Sequence, residues 1–171
     1  MREKGIKTKT PEQALNSLMA LCARAEKSSG DAYRLMARWG VEKSEQPKIL
    51  EQLIKDRFID DERFAAAYIR DKINLSGWGR FKIQAQLSQK GVAKEIIEEQ
   101  LSTIDKGRMD ERLEQLIERR ARTTKYTTKY QLRDKLIRYG ASLGYDFSSV
   151  NEAVTKAISD IKNEEEECYD F

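Results

Sequence analysis

A chain of 171 residues that is 36% charged and 39% hydrophobic, with a formal net charge of +3 and no histidine, has little apolar material for a thick β-sandwich. It also lacks the side chain best suited to proton transfer near neutral pH. Two prolines and nine glycines leave most of it free of helix breakers, and period-2 runs of Val, Ile and Thr are absent, so an all-α fold is expected.

Residues 1–10 carry four bases (Arg2, Lys4, Lys7, Lys9) against Glu3 and offer nothing to bury, which predicts a basic flexible arm. Pro11 and Glu12 suit a first helical turn after Thr10, and Leu15, Leu18, Met19 and Cys22 continue an apolar face to about Ala25. Ser28 with Asp31 offers a capping box for a second helix that runs through Met36 and stops at Gly40. After a turn over Glu42–Pro47, Ile49, Leu50, Leu53 and Ile54 give a third stripe.

The next segment repeats this plan. Asp60 can cap a helix whose positive end Asp61 and Glu62 favour, and Phe64, Ala65, Tyr68, Ile69 and Ile73 fall on one broad face. Two adjacent acids could instead serve acid/base chemistry or a metal, but without a His or third ligand the capping role is preferred. Ser76, Gly77 and Gly79 interrupt the pattern before a run with Ile83 and Leu87, and Gly91 stands where a helix ends in a left-handed residue. Ile96, Ile97, Leu101 and Ile104 mark a third helix.

Aligning the two units on Gly40 and Gly91 places Met36 with Leu87, Val41 with Val92 and Leu50 with Leu101, the mark of an internal repeat. In a third copy Leu113, Leu116 and Ile117 stripe the first helix, Leu132, Leu136 and Leu143 the second, and Val150, Val154 and Ile158 the last. Both Gly140 and Gly144 could close its second helix. Gly144 is preferred, because Val150 and Val154 follow it at the offsets that Ile97 and Leu101 keep from Gly91. Gly140 then sits mid-helix, where it permits close packing. The expected organisation is an arm (1–10), three-helix repeats at 11–56, 57–107 and 108–162, and an acidic tail (163–171) that frays.

Cys22 and Cys168 lack the spacing of a disulfide framework or zinc site and fit a reducing cytoplasm. No apolar stretch approaches the roughly 20 residues that span a bilayer, and MREKGIKTKT has no hydrophobic run after its charges, so a soluble, unexported protein is expected. No Walker-type loop exists, and Gly77-Trp78-Gly79 lacks the third glycine and strand context of a dinucleotide loop. No catalytic residue, metal or cofactor is expected.

Positive charge concentrates in the third copy, where Arg119–Arg138 holds eight Lys or Arg and one Asp. Lys125, Lys129 and Arg133 recur every four residues, which would place them on one side of a helix with Tyr126 and Tyr130 beside them. Such a strip can track phosphates while rings stack on bases, or it can be a solvated face bordering the Leu132–Leu136 stripe. Trp39, Trp78 and Tyr139 adjoin helix ends and read as packing rather than ligand contacts.

The run Asp60-Asp61-Glu62-Arg63-Phe64-Ala65, then Gly77-Trp78-Gly79, then Leu87-Ser88-Gln89-Lys90-Gly91-Val92, resembles the RecX family of recombinase regulators over roughly residues 14–158. The resemblance implies three tandem three-helix repeats in an extended, curved array that binds the RecA–single-stranded DNA filament as a monomer. It also implies restraint of RecA's ATPase, strand-exchange and coprotease activities, by binding and not catalysis. Candidate contact residues are then Arg70, Lys72, Arg80 and Lys82, with Arg119, Arg120, Arg122, Lys125, Tyr126, Lys129, Tyr130, Arg133 and Arg138. A direct binder of single- or double-stranded DNA, or a helical-repeat adaptor for an unrelated protein, are the alternatives.

Overall fold

The computed structural model describes residues 8–167, with side chains as far as Asp160. The expectations for residues 1–7, for the acidic side chains beyond Asp160 and for Cys168 fall outside the described residues. Among those described there are nine α-helices and no strand: α1 (Pro11–Cys22), α2 (Ser29–Arg38), α3 (Gln46–Lys55), α4 (Asp61–Ser76), α5 (Arg80–Gln89), α6 (Lys94–Ser102), α7 (Lys106–Thr123), α8 (Lys129–Leu143) and α9 (Phe147–Glu167). None is long and apolar enough to cross a membrane.

Helix starts are set by short polar side chains that accept the orphan amides of a first turn. Thr10 caps α1 and Ser28 caps α2 through reciprocal boxes with Gln13 and Asp31. Asp60 accepts the Arg63 amide at 2.9 Å. Asp61, expected only to favour its own helix, also accepts the Ser29 amide of α2 at 2.8 Å, so the paired acids hold two helix starts together. Asp146 takes both the amide and the hydroxyl of Ser149. Those bonds, the amide first, keep its carboxyl below the ordinary carboxylate range against a smaller opposing effect of burial. The turn expected over Glu42–Pro47 is shorter, because Pro47 occupies the first turn of α3, where its missing amide costs nothing.

Helix ends follow the glycines. Gly40, Gly91 and Gly144 have φ of 69°, 76° and 86°, a left-handed conformation that penalises any Cβ. At the first two, the valine that follows donates its amide to a carbonyl five residues back, Val41 to Met36 and Val92 to Leu87, and packs its own side chain in the core. This is a Schellman closure, and it explains why the aligned pairs Met36/Leu87 and Val41/Val92 are apolar. Gly140 is buried inside α8, where an added Cβ would lie 2.7 Å from a Val150 methyl, so the glycine lets α9 approach.

Packing groups the helices into two compact units, Met1–Tyr68 with Gln86–Gln100, and Ile69–Ala85 with Leu101–Phe171. In unit 1, α1 and α2 pack on α3 around Leu18, Met36 and Leu53, with Trp39 and Cys22 against that core. Desolvation there pushes the Cys22 thiol up. Trp39 is a packing residue, as expected, but the segment before α1 is not free at its described end. Lys9 donates its amide to the Trp39 carbonyl and lays its ammonium 3.7 Å from the ring centroid, so a cation–π contact orders it. In unit 2, α7, α8 and α9 pack together around Leu113, Ile117, Leu136 and Val154.

Each unit contains a close junction between the start of one helix and the end of another. In unit 1, Gly30 of α2 lies on Lys90-Gly91, where its Cβ would fall 2.8 Å from the Gly91 Cα. The Ser28 hydroxyl and the Arg34 guanidinium donate to the Lys90 and Gln89 carbonyls at 2.7 and 2.9 Å. In unit 2, Gly79 lies on Gly144-Tyr145, and the Gly79 amide and Lys82 ammonium donate to the Leu143 and Ser142 carbonyls at 2.8 and 2.9 Å. In both, the last two carbonyls before the closing glycine, orphaned by the end of their own helix, are met by donors from another helix's start.

Candidate functional site

The strip expected from Lys125, Lys129 and Arg133 does not form one helix face. Helix α7 ends at Thr123 and α8 begins at Lys129, so Lys125 and Tyr126 lie in the loop between them. The reason is local: Thr128 accepts the Gln131 amide and starts a new helix, while the Gln131 side chain accepts the Thr127 amide. Arg133 is committed inside unit 2, donating to Asn151 Oδ1 at 2.6 Å and to Thr155 Oγ1 at 3.4 Å. Lys129 and Tyr130 are exposed at the start of α8, Tyr130 by 80%.

A different basic surface forms on the other side of α8, where Lys135, Arg138, Tyr139 and Ser142 succeed one another at helical spacing. With Arg120, Thr123, Thr124 and Lys125 they line an open groove at the end of α7. The Arg120 guanidinium sits 5.2 Å from the Tyr139 ring centroid, and Lys135 Nζ donates to the Lys125 carbonyl at 2.7 Å, which holds the α7–α8 loop against α8. Arg138 pairs with Asp134 one turn away yet keeps most of its side chain in solvent. Thus four cations and a tyrosine surround the groove, and α7 sets Arg120 and Arg122 in its last turn, where a cation also offsets the negative helix end.

The groove is joined through Ser142 to the loop before α5. Lys82 bonds the Ser142 carbonyl, and its ammonium and that of Lys72 each lie 4.7 Å from the Trp78 ring centroid. Trp78, expected from sequence to pack between helices, is half-buried with two ammonium groups against its ring. It adds an aromatic platform to a surface of positive charge.

Of the candidates read from sequence, Lys72, Lys82, Arg120, Lys125 and Arg138 therefore come together. The rest lie outside that lining. Arg70 lies 3.6 Å from Asp71, and Arg119 and Arg122 are exposed on α7 outside the groove lining. Arg80 borders a small apolar pocket with Phe81, Ile104, Met109 and Tyr145. Burial pushes the Tyr145 hydroxyl up to about 12. Sequence reasoning missed Lys135 and Ser142 and assigned Tyr139 to packing. Their 135/138/139/142 spacing, on a face about a quarter turn from the Leu132–Leu136–Leu143 stripe, was the available signal.

Residues 60–101 match the family model described as RecX, second three-helix domain. The chain is 32% identical over 122 residues to Regulatory protein RecX of Clostridium botulinum, covering 70% of this chain and 57% of that protein. It is 30% identical over 146 residues to Regulatory protein RecX of a Mycobacterium species, covering 83% and 79%. The chain thus spans little over half the length of the clostridial relative. Among solved structures, RecX from Lactobacillus salivarius superposes with a TM-score of 0.76 at 18% identity, over 86% of this chain and 96% of that one, a likeness of fold.

Proposed function

The chain belongs to the RecX family of regulatory proteins, and on that premise we propose that it binds the RecA–single-stranded DNA filament and restrains RecA's ATPase, strand-exchange and coprotease activities. The observation that supports a nucleoprotein target is the surface running from Lys72 and Lys82 on Trp78, through Ser142, to Arg138, Tyr139, Arg120, Lys135 and Lys125. Cations at the spacing of a helix face suit phosphates, while Trp78 and Tyr139 offer rings on which bases or partner side chains can stack. The action is binding in the cytoplasm, without a cofactor.

RecA ATPase on single-stranded DNA, with and without this protein, tests the reading. Hydrolysis is expected to fall as the protein is added, and unchanged hydrolysis at several-fold excess over RecA would remove the proposal.

A second measurement tests the surface. Replacing Lys125, Lys135 and Arg138 by Gln removes charge and, at the two α8 positions, keeps helix propensity. If the groove meets phosphates, each phosphate no longer neutralised should flatten the log–log salt dependence of single-strand binding by about 0.7. If it meets filament carboxylates, the triple variant should chiefly associate more slowly. Equal binding by wild type and variant, to free single strand and to the filament at two salt concentrations, would return the groove to ordinary solvated surface.

A further inference from the structure

We propose that unit 1 carries a separate binding groove for an acidic protein segment, formed by Lys27, Arg34, Arg38 and Lys90 around Asp31 and Leu35. None of these cations belongs to the unit 2 surface, and the groove does not require a DNA-bearing partner.

The groove holds four positive groups and one carboxylate. That carboxylate is already engaged: Arg34 reaches Asp31 at 2.5 Å and Lys90 at 3.8 Å. Burial alone would raise the Asp31 carboxyl, but the Arg34 hydrogen bond, the Lys90 charge and the Ser28 amide hold it below its ordinary range. Arg34 in turn bonds the Gln89 carbonyl, and Lys90 lies 5.7 and 5.8 Å from the Phe64 and Tyr68 ring centroids. These two cations are thus fixed in place by the α2–α5 junction. Lys27 and Arg38 have no acidic partner among the described residues, so a surplus of positive charge faces the groove.

Residue types in the lining select the ligand. Arg34 and Arg38 stand one turn apart on α2, about 6 Å along the axis, and a guanidinium fork matches a carboxylate through two parallel hydrogen bonds. Leu35 lines the same groove and supplies an apolar contact for a neighbouring side chain. No aromatic ring lines this groove, whereas binding of an unpaired nucleic-acid strand relies on rings for base stacking. Glutamates or aspartates flanking a leucine-like residue fit both features.

The test uses the full chain and two labelled probes, a peptide of glutamates flanking a single leucine, and oligothymidylate, followed by fluorescence anisotropy. The variant carries Lys27→Gln and Arg38→Gln, since neither side chain caps a helix or holds the junction, and matched melting curves check that both proteins are folded. The variant should bind the peptide about tenfold more weakly, as expected for two modest charge pairs, and oligothymidylate as the wild type does. A peptide bound equally by both proteins, or by neither, would overturn the proposal. Loss of oligothymidylate binding in the variant would overturn it too, by making the groove a phosphate site. Because RecA is absent from the experiment, its outcome is independent of whether the filament reading holds.

Discussion

Replacing Phe64 by Ala is expected to lower the unfolding free energy by about 3–5 kcal/mol, read as a shift in the urea midpoint. Phe64 is 7% exposed and stacks on Tyr68 with centroids 5.9 Å apart, beneath the Lys90 ammonium. Truncation leaves a cavity at the start of α4, removes the ring stack and takes away one aromatic face from Lys90, the residue whose carbonyl receives the Ser28 hydroxyl. Phe64→Leu, which keeps most of the volume, should cost under about 1.5 kcal/mol. An unchanged midpoint accompanied by loss of partner binding would instead assign Phe64 to an interface.

The second large effect is expected at Gly79. An alanine there would place its Cβ 2.6 Å from the Tyr145 amide nitrogen and against the Gly144 carbonyl, and these are backbone atoms that no rotamer change can move. The α5 start would have to withdraw, weakening the Gly79 and Phe81 amide bonds to the Leu143 and Gly144 carbonyls. Overpacking of this kind costs about 1–3 kcal/mol, with the upper end expected here because two hydrogen bonds move with it. Gly107 is the control. It occupies the first turn of α7 with nothing nearer its added Cβ than an Asp105 oxygen at 3.5 Å, so Gly107→Ala should be neutral or stabilising by up to about 1 kcal/mol. Equal thermal shifts in the two alanine variants would show that crowding at Gly79 is not the limiting factor.

What the sequence made legible was local chemistry. The Ser28–Asp31 box, the Asp60 cap and the closing glycines at 40, 91 and 144 each depend on neighbours within about five residues, and the structure has them as expected. The period-4 reading of Lys125, Lys129 and Arg133 failed because periodicity does not report where a helix stops. The signal that did, Thr128 three residues before Gln131, is the same capping pattern recognised at Ser28. The unit 2 surface was half legible, since charge and helical spacing give Lys135, Arg138 and Tyr139 a common face. No single-sequence pattern could join that face to Trp78, because the link through Lys82 and Ser142 spans 60 residues of chain. Likewise Gly30 looks like an ordinary small residue until Lys90 and Gly91 arrive against it.

The division of the chain bears on how it comes apart. In many helical-repeat proteins a unit is a contiguous stretch, so repeats can be removed or melted from an end with modest damage to those that remain. Here α4 and α5 each give part of their length to one compact unit and part to the other. Unravelling either helix from one side strips hydrogen-bonded turns from an element that the other side also uses. Cooperativity is therefore carried by the backbone itself, with the two middle helices acting as shared members. Proteolysis in the α5–α6 turn would release no intact half, because each unit needs residues from both sides of the cut.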